Sequence, residues 1–229
     1  MKPLPPNPRY ERKLLPAGLR LDDVLALIHR HPAAFRQSFP PRAINNIYLD
    51  SPEWRDYHDH VSGVAHRSKT RIRWYGPWSG QIQSPTLELK LKHGLVSGKA
   101  SHRLPSLTMN GSLSRHDLAA AIESAEMPAL TRSTVQQLQP SLLNRYERRY
   151  YRSADNRFCL TVDTNLQFAP ARQAPGTHAA FSPPLAQVVV ELKYGLAAAE
   201  AAERVTNLLP FRLARCSKYV LGINSLRAI

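Results

Sequence analysis

Two segments of this sequence carry a charge at every second position. In KTRIRWYG (69–76) and TLELKLKHG (86–94), charged residues alternate with mostly aliphatic or aromatic ones. Side chains of a β-strand point alternately to opposite faces, so each segment predicts a strand with one charged and one apolar face. The charged faces carry Lys69, Arg71 and Arg73 in the first strand and Glu88, Lys90 and Lys92 in the second.

The same alternation recurs in other strand-like segments. Charged residues share one face in segments 9–15, 143–153, 157–168 and 187–195, namely Glu11, Lys13, Arg148, Asp163, Glu191 and Lys193. In a single strand, such Lys and Arg residues are typical of a protected sheet edge. Their repetition over six strands instead favours a sheet that closes on itself with its charged face inside. The predicted interior is a basic tunnel with a few carboxylates.

The remaining patterns predict an α+β protein: an antiparallel β-barrel tunnel with a few flanking helices. Predicted strands are 9–15, 42–50, 69–76, 86–94, 143–153, 157–168 and 187–195. Apolar residues at helical spacing predict helices at 19–31, 112–125 and 196–210. The segment 170–186, rich in Pro and Ala, predicts a loop. We expect residues 1–229 to form a single domain, because no repeat or long linker interrupts the pattern.

The charge balance indicates an anionic partner. Lys and Arg number 31 against 17 Asp and Glu, a formal net charge of +14. This balance fits nucleic acid, polyphosphate, a nucleotide or an acidic membrane surface, and does not choose among them. The two cysteines, Cys159 and Cys216, cannot form a metal-ligand set by themselves. With no signal-like or membrane-spanning apolar segment, the sequence predicts a soluble, cytoplasmic protein.

A basic interior is stable only if a polyanion fills it. Lys provides a compact charge and Arg a planar fork that binds two phosphate oxygens, so a mixed lining suits a phosphate chain. A carboxylate beside phosphates is repelled unless a divalent cation lies between them. The glutamates of the charged faces therefore predict Mn²⁺ or Mg²⁺, held partly by the protein and partly by the substrate.

Eight short motifs together resemble one known family. The succession RYERK, INNIYLDS, KTRIRWYG, LELKLK, YERRY, TVDTNL, VELKYG and RCSKYVLG is similar to that of the VTC domain, over about residues 9 to 223. The VTC domain is the polyphosphate polymerase domain of the vacuolar transporter chaperone complex, within the triphosphate tunnel metalloenzyme (CYTH-like) superfamily. The resemblance implies an antiparallel barrel that uses a divalent metal to polymerise the γ-phosphate of ATP.

The resemblance and the charge alternation together give a set of candidate site residues. The catalytic set, matching the basic phosphate-binding positions of the family, is Lys13, Arg71, Arg73, Lys90, Arg148 and Lys218. Further substrate-binding candidates are Lys69, Lys92, Lys99, Arg157 and Lys193. The metal candidates are Glu191, which matches the family's metal-binding glutamate, together with Glu11 and Glu88.

Two positions depart from the family pattern. Arg9 stands where the wider superfamily often has the first of two alternating glutamates, which favours the VTC branch and leaves fewer metal ligands. Cys159 stands where the family usually has an arginine. Arg157 lies two residues earlier on the same predicted face and is a candidate substitute for it.

Several functions are therefore compatible with the sequence. The first is a metal-dependent polyphosphate polymerase that uses ATP, with a separately encoded membrane protein as a further partner. The alternatives are a binding module for polyphosphate or nucleotide, favoured by Cys159, and a hydrolase of triphosphate or polyphosphate. Specific nucleic-acid binding is not expected, because a duplex requires basic groups on an outer surface.

Aromatic residues near Arg73 admit two interpretations. Trp74, Tyr75 and Trp78 lie in a predicted strand and turn, where aromatic side chains usually pack in the core. Stacking of one of them on adenine is the alternative. The nearby segment GLVSGKAS (94–101) is not predicted to be a phosphate-binding P-loop, because its glycine spacing is too short and Ala100 replaces Ser or Thr.

Overall fold

The computed structural model describes residues 8–109, 115–171 and 179–227. The strands are β1 (Arg9–Leu15), β2 (Arg36–Asp50), β3 (His66–Tyr75), β4 (Gly80–Ile82), β5 (Thr86–His93), β6 (Val96–Arg103), β7 (Leu107–Met109), β8 (Gln139–Arg152), β9 (Phe158–Pro170), β10 (Val189–Tyr194) and β11 (Arg212–Leu213). The helices are α1 (Leu21–His29), α2 (Arg55–Val61), α3 (Arg115–Glu123), α4 (Ala129–Gln136), α5 (Ala199–Asn207) and α6 (Lys218–Arg227), and a 3₁₀ turn (Leu196–Ala198) precedes α5.

In the described part of the chain, eight strands form a closed antiparallel ring. Their order is β1, β10, β9, β8, β2, β3, β5 and β6, and β6 returns to β1. The closing pairs are Arg9 opposite Ser97 and Tyr10 opposite Val96. The predicted fold class, an antiparallel tunnel with flanking helices, is therefore confirmed. No helix among the described residues is both long enough and apolar enough to cross a membrane.

Apolar side chains cover the outer face of the ring and pack under the helices. One buried cluster joins Ile72, Leu87 and Trp74 to Leu118 and Ile122 of α3. A second joins Val162, Val190 and Leu192 to helices α1 and α5. Burying apolar surface is favourable, so this face packs under the helices. Because successive side chains of a strand point to opposite faces, the charged face then lies inside the ring.

The predicted strands and helices are present in the structure, but several of them begin or end at other residues, and some short elements were not predicted. Predicted strands and helices appear as β1, β2, β3, β5, β8, β9 and β10 and as α1, α3 and α5. Residues 112–114 of one predicted helix, and 172–178 of the predicted loop, lie outside the described residues. Strand β2 begins at Arg36, ahead of Pro40 and Pro41, and its pairing with β8 shifts register there.

Helix α6 was not predicted, and it packs on the apolar end of the inner face. Its residues Tyr219 and Ile223 join a buried cluster with Leu142 and Phe168 of β8 and β9. Gly222 allows this close approach, because a Cβ there would lie 2.4 Å from Cδ1 of Phe168. The helix therefore fills one end of the ring interior and leaves the charged end open.

A buried carboxylate fixes the position of α6. Asp50, at the end of β2, accepts hydrogen bonds from the backbone N–H groups of Asp56 and Tyr57 in α2. It also accepts a 2.6 Å hydrogen bond from the hydroxyl of Tyr219 in α6. Asp50 thereby ties both helices to the ring and sets the place of Lys218, the first residue of α6.

Candidate functional site

A cavity of about 240 Å³ lies within the charged end of the ring. Its cationic lining consists of Arg9, Lys13, Lys69, Arg71, Arg73, Lys90, Lys99, Arg148, Lys193 and Lys218. Tyr48, Tyr146, Tyr150, Thr161 and Glu191 complete the lining. Every basic residue predicted for the site lines this cavity except Lys92 and Arg157. The alternating charges of distant segments are thus brought together on one concave surface.

Strand register places carboxylates directly opposite bases. Across neighbouring strands, Arg71 lies opposite Glu88, Lys13 opposite Glu191 and Arg148 opposite Asp163. Opposite charges at such cross-strand positions stabilise a sheet. Each carboxylate therefore neutralises part of the basic lining.

Glu88 is enclosed by three cations on β3 and β6. Its carboxylate accepts hydrogen bonds from Nε and Nη2 of Arg71 at 2.9 and 2.8 Å, and from Nζ of Lys99 at 2.7 Å. Nη2 of Arg73 lies 3.2 Å away. This arrangement orients two guanidinium groups toward the cavity, which is the geometry needed to bind phosphate oxygens.

Glu11 and Glu191 lie on either side of one lysine. Nζ of Lys13 is 3.7 Å from a carboxylate oxygen of each. Glu11 also accepts a 2.7 Å hydrogen bond from Lys90. Glu191 contacts three further cations, Lys193 at 2.8 Å, Lys218 at 3.1 Å and Arg148 at 3.3 Å.

Asp163 belongs to the site but was given no role from the sequence. It is fully buried, and Arg148 binds both of its oxygens, at 2.5 and 2.6 Å. Lys218 Nζ lies 2.5 Å from Oδ2. The available signal was its place on the alternating face of the TVDTNL segment, two residues after Thr161. Asp163 thereby positions Arg148 and Lys218, which both line the cavity.

The surrounding cations keep the buried carboxyl groups ionised. Burial alone would raise the pKa of Glu191, but Lys193, Lys218, Lys13 and Arg148 hold that pKa well below its usual range. The pKa of Asp163 is lowered in the same way, as Arg148 and Lys218 outweigh its burial. The four carboxyl groups that form ion pairs with the cavity cations, Glu11, Glu88, Asp163 and Glu191, have lowered pKa values.

Two cavity lysines are shifted toward their neutral form. Burial, followed by the charges of Lys13 and Lys90, lowers the pKa of Lys69 well below its ordinary value. Burial also lowers the pKa of Lys90 to about 8, although Glu11 opposes the shift. The lining therefore carries unrelieved positive charge, which an anion in the cavity would compensate.

Because these lysines are shifted toward their neutral form, binding of an anion in the cavity should be coupled to uptake of protons. We expect tripolyphosphate binding at pH 9 to take up protons, because the anion raises the pKa of Lys69 and favours its charged form. Affinity should accordingly fall as pH rises toward the ordinary lysine value of about 10.4. Calorimetry in buffers of different ionisation enthalpy measures the uptake. The Lys69→Met variant should take up fewer protons than the wild type; equal uptake would contradict this assignment.

Lys92 and Arg157 lie away from the cavity. Lys92 is opposite Arg67 across β3 and β5, nearer the end of both strands. Arg157 precedes β9, is half exposed and lies 4.0 Å from Asp155. Cys159 is opposite Lys193, which does line the cavity. The structure therefore places Lys193, rather than Arg157, beside the position where the family usually has an arginine.

The donor groups limit how a metal ion could be held. The three predicted carboxylates do not converge, and the described residues contain no group of three or more His, Cys, Asp or Glu side chains that could hold a metal. Mg²⁺ is usually bound by one or two carboxylates together with substrate phosphates. Glu11 and Glu191, which share Lys13, fit such a role. Glu88 is enclosed by Arg71, Arg73 and Lys99 and fits it less well.

Comparison with known proteins identifies the family. The sequence profile of the VTC domain matches residues 9–227. This chain belongs to the VTC-domain family. The predicted family is thereby confirmed over nearly the whole length of the chain. No curated protein matches this VTC domain significantly in sequence.

Solved structures show the same fold as this VTC domain. A putative adenylyl cyclase from Hippeastrum superposes with a TM-score of 0.54 at 13% identity, covering 95% of this chain and 96% of that chain. A putative adenylate cyclase from Vibrio parahaemolyticus gives a TM-score of 0.51 at 12% identity, covering 93% and 98%. At these identities the likeness shows a shared fold and nothing more.

Proposed function

We propose that this VTC domain is a metal-dependent phosphotransferase that moves the γ-phosphate of ATP onto a growing polyphosphate chain inside the ring. The observation that carries the proposal is the composition of the cavity, which is lined by ten cationic side chains and one carboxylate, Glu191. Glu11, Glu88 and Asp163 form ion pairs with some of these cations. An excess of buried positive charge is unfavourable unless an anion compensates it. Membership of the VTC family supports a phosphate chain as that anion. The proposal includes a cytoplasmic location and a separate membrane protein as partner for the product.

Different residues of the cavity bind different parts of the phosphate chain. Arg71 and Arg73, oriented by Glu88, present planar donors that can bind adjacent phosphate oxygens. Arg148 and Lys218, held by Asp163, provide charge at the inner end of the cavity. Phosphoryl transfer depends mainly on positioning and charge neutralisation, so no catalytic base is required when the acceptor is an anionic phosphate oxygen.

Glu11 and Glu191 are the proposed metal ligands. Bound Mg²⁺ or Mn²⁺ would supply further neutralisation of the transferring phosphoryl group. The two carboxylates lie on either side of Lys13. Burial opposes their ionisation, but Lys193, Lys218 and Lys13 lower the pKa of Glu191, and Lys90 and Lys13 lower that of Glu11. Their lowered pKa values keep them ionised throughout the neutral pH range.

Hydrolysis of triphosphate is the second candidate, and the shape of the ring favours it. Helix α6 fills one end of the interior, and the remaining 240 Å³ is below the roughly 300–1,000 Å³ of typical small-molecule sites. Such a volume suits a short phosphate chain with water as acceptor. The Hippeastrum neighbour, described with a dominant triphosphatase activity, supports this alternative.

One assay separates the candidates. Purified protein is incubated with ATP or tripolyphosphate and either Mn²⁺ or Mg²⁺, and the products are resolved as polyphosphate, orthophosphate and ADP. Long polyphosphate with ADP supports the polymerase. Orthophosphate without polyphosphate, released together with ADP from ATP or with pyrophosphate from tripolyphosphate, supports the hydrolase. Thermal unfolding with added tripolyphosphate is measured in parallel, because a ligand that binds the native state raises its stability. A stabilised protein without turnover would indicate a binding module, and an unchanged melting temperature would exclude the cavity as a phosphate site.

A further inference from the structure

Three cations lie close together on the rim of the ring, outside the cavity. Arg67 and Lys92 face each other across β3 and β5, in the residue pair next to the end of both strands. Arg215 lies in the segment between β11 and α6, and its Nη1 atom would be 3.8 Å from a Cβ placed on Gly63. The cavity lining includes none of these three cations. They therefore form a second positive region at the surface.

The positive charge of this region is only weakly compensated. Within the ranges that the structure describes, no carboxylate forms a salt bridge with Arg67, Lys92 or Arg215, and Nε of Arg67 is buried without a hydrogen-bond partner. Burial, followed by the charge of Arg215, lowers the pKa of Arg67, and Asp59 opposes the shift only in part. Burial, followed by the charge of Arg67, lowers the pKa of Lys92. An anion beside these side chains would relieve their repulsion.

Exposed apolar side chains come from the neighbouring turns. Val61, the last residue of α2, is 58% exposed, and Val64 follows it in the loop before β3 at 41%. Leu95, in the two-residue turn between β5 and β6, is 78% exposed. The backbone N–H of Gly94 donates a 2.9 Å hydrogen bond to the carbonyl of Ala65, which brings this turn beside the loop. Large apolar side chains thus project from adjacent segments of one rim.

The cations and the apolar side chains belong to one surface. The guanidinium group of Arg67 donates a hydrogen bond to the carbonyl of Val64. Lys92 precedes Leu95 by three residues on the same hairpin, and Arg215 lies against the loop at Gly63. We call this the rim surface, and it consists of Val61, Val64, Arg67, Lys92, Leu95 and Arg215.

We propose that the rim surface binds the anionic surface of a lipid bilayer. The three cations would contact negatively charged headgroups, and the three apolar side chains would enter the boundary between headgroups and acyl chains. A surface that combines exposed apolar groups with basic ones suits this boundary, which offers an anionic layer next to an apolar one. The inference goes beyond the proposed function, because it concerns a surface outside the cavity and holds whichever reaction the cavity supports.

Two other anionic partners compete for the rim surface. A phosphate chain leaving the cavity would explain the cations but not the apolar side chains, because a polyanion in water offers no apolar surface to bury. An acidic protein would need a complementary, well-packed surface around the apolar groups. Leu95 at the tip of a turn and Val61 at the end of a short helix project separately, and a lipid headgroup layer accommodates such projections without a matched shape.

Vesicle sedimentation with the full chain tests the proposal. The wild type should bind phosphatidylcholine vesicles containing about 30% phosphatidylserine at least about tenfold more strongly than phosphatidylcholine alone, and added salt should weaken this binding. Leu95→Ser and Arg215→Gln should each weaken binding to the anionic vesicles about fivefold and leave tripolyphosphate binding in the cavity unchanged. Leu130→Ser on α4 and Arg204→Gln on α5 remove equally exposed side chains from the outer face, and both should bind vesicles as the wild type does.

The remaining outcomes would overturn the inference, and melting temperatures establish that each variant is folded. Equal binding to both kinds of vesicle, or to neither, excludes an anionic bilayer as the partner. Equal losses in the rim variants and in the two control variants would assign vesicle binding to the net charge of the chain. Weaker tripolyphosphate binding in Arg215→Gln, with normal vesicle binding in Leu95→Ser, would assign the rim surface to a phosphate chain. Binding of a polyglutamate peptide but not of vesicles, lost in both rim variants, would assign it to an acidic protein.

Discussion

Glu191→Gln is expected to abolish metal-dependent turnover while tripolyphosphate still binds. Glu191 is the carboxylate on which Lys13, Arg148, Lys193 and Lys218 converge. Glutamine preserves the shape of the side chain but removes the negative charge that a divalent cation requires. Removing that charge also removes a group that repels phosphate, so tripolyphosphate affinity should be equal or higher.

The same substitution should lower the melting temperature of the empty protein. Four cations lose a common counterion, and their mutual repulsion then acts without compensation in a buried setting. Added tripolyphosphate should restore much of the lost stability, because it replaces the missing negative charge. Turnover is therefore measured at a temperature where the variant is folded, with product formation, ligand affinity and melting temperature determined together.

Glu200→Gln provides the matched control for this experiment. Glu200 is highly exposed on α5, which covers the outer face of the ring, so its loss should change neither turnover nor affinity. Turnover that survives in Glu191→Gln would show that Glu191 is an ion-pair partner and not a metal ligand. In that case Glu11 would become the leading candidate, tested by the same substitution.

Asp163→Asn is expected to produce the largest loss of stability, about 3–5 kcal/mol. Asp163 is fully buried and compensates both Arg148 and Lys218, so the neutral amide leaves two buried cations without their nearest counterion. Denaturant unfolding measures the free-energy change. Asp22→Asn, on the exposed side of α1, is the control and should cost less than about 1 kcal/mol.

The pH dependence of stability provides an independent check on Asp163. Its folded-state pKa lies below the ordinary value, so its contribution is fully present above pH of about 4 and is lost as pH falls further. Wild-type stability should therefore decline more steeply in acid than that of the Asn variant. Parallel acid profiles would place the stabilising interaction elsewhere, and an unfolding free energy unchanged by the substitution would show that Arg148 and Lys218 do not depend on Asp163.

The sequence alone was sufficient to predict the charged face and most of its residues. Side chains at every second position of a strand share one face. The apolar face opposite the charged one can be buried only outside the ring, under helices. Lys69, Arg71 and Arg73 could therefore be grouped from local spacing. Family membership followed from the order of short motifs, which does not depend on knowing the contacts.

Elements with weak local signals were missed. Strand β6, VSGKASHR, contains Gly, Ser and Ala and has little β-propensity, and it forms because it pairs with β5 along its whole length. Helices α2 and α4 have seven and eight residues, and helices of that length depend on tertiary packing for stability. Helix α6 forms against Leu142 and Phe168, far from it in the sequence.

Only the tertiary structure determines which charged side chains contact each other. Asp163 and Lys218 are 55 positions apart in the numbering, and Arg71 and Lys99 reach Glu88 from two other strands. Local spacing determines the face of a residue, whereas its partner depends on strand register, ring closure and the docking of α6. Those features are set by the total burial of apolar surface over the whole chain, which no short segment encodes.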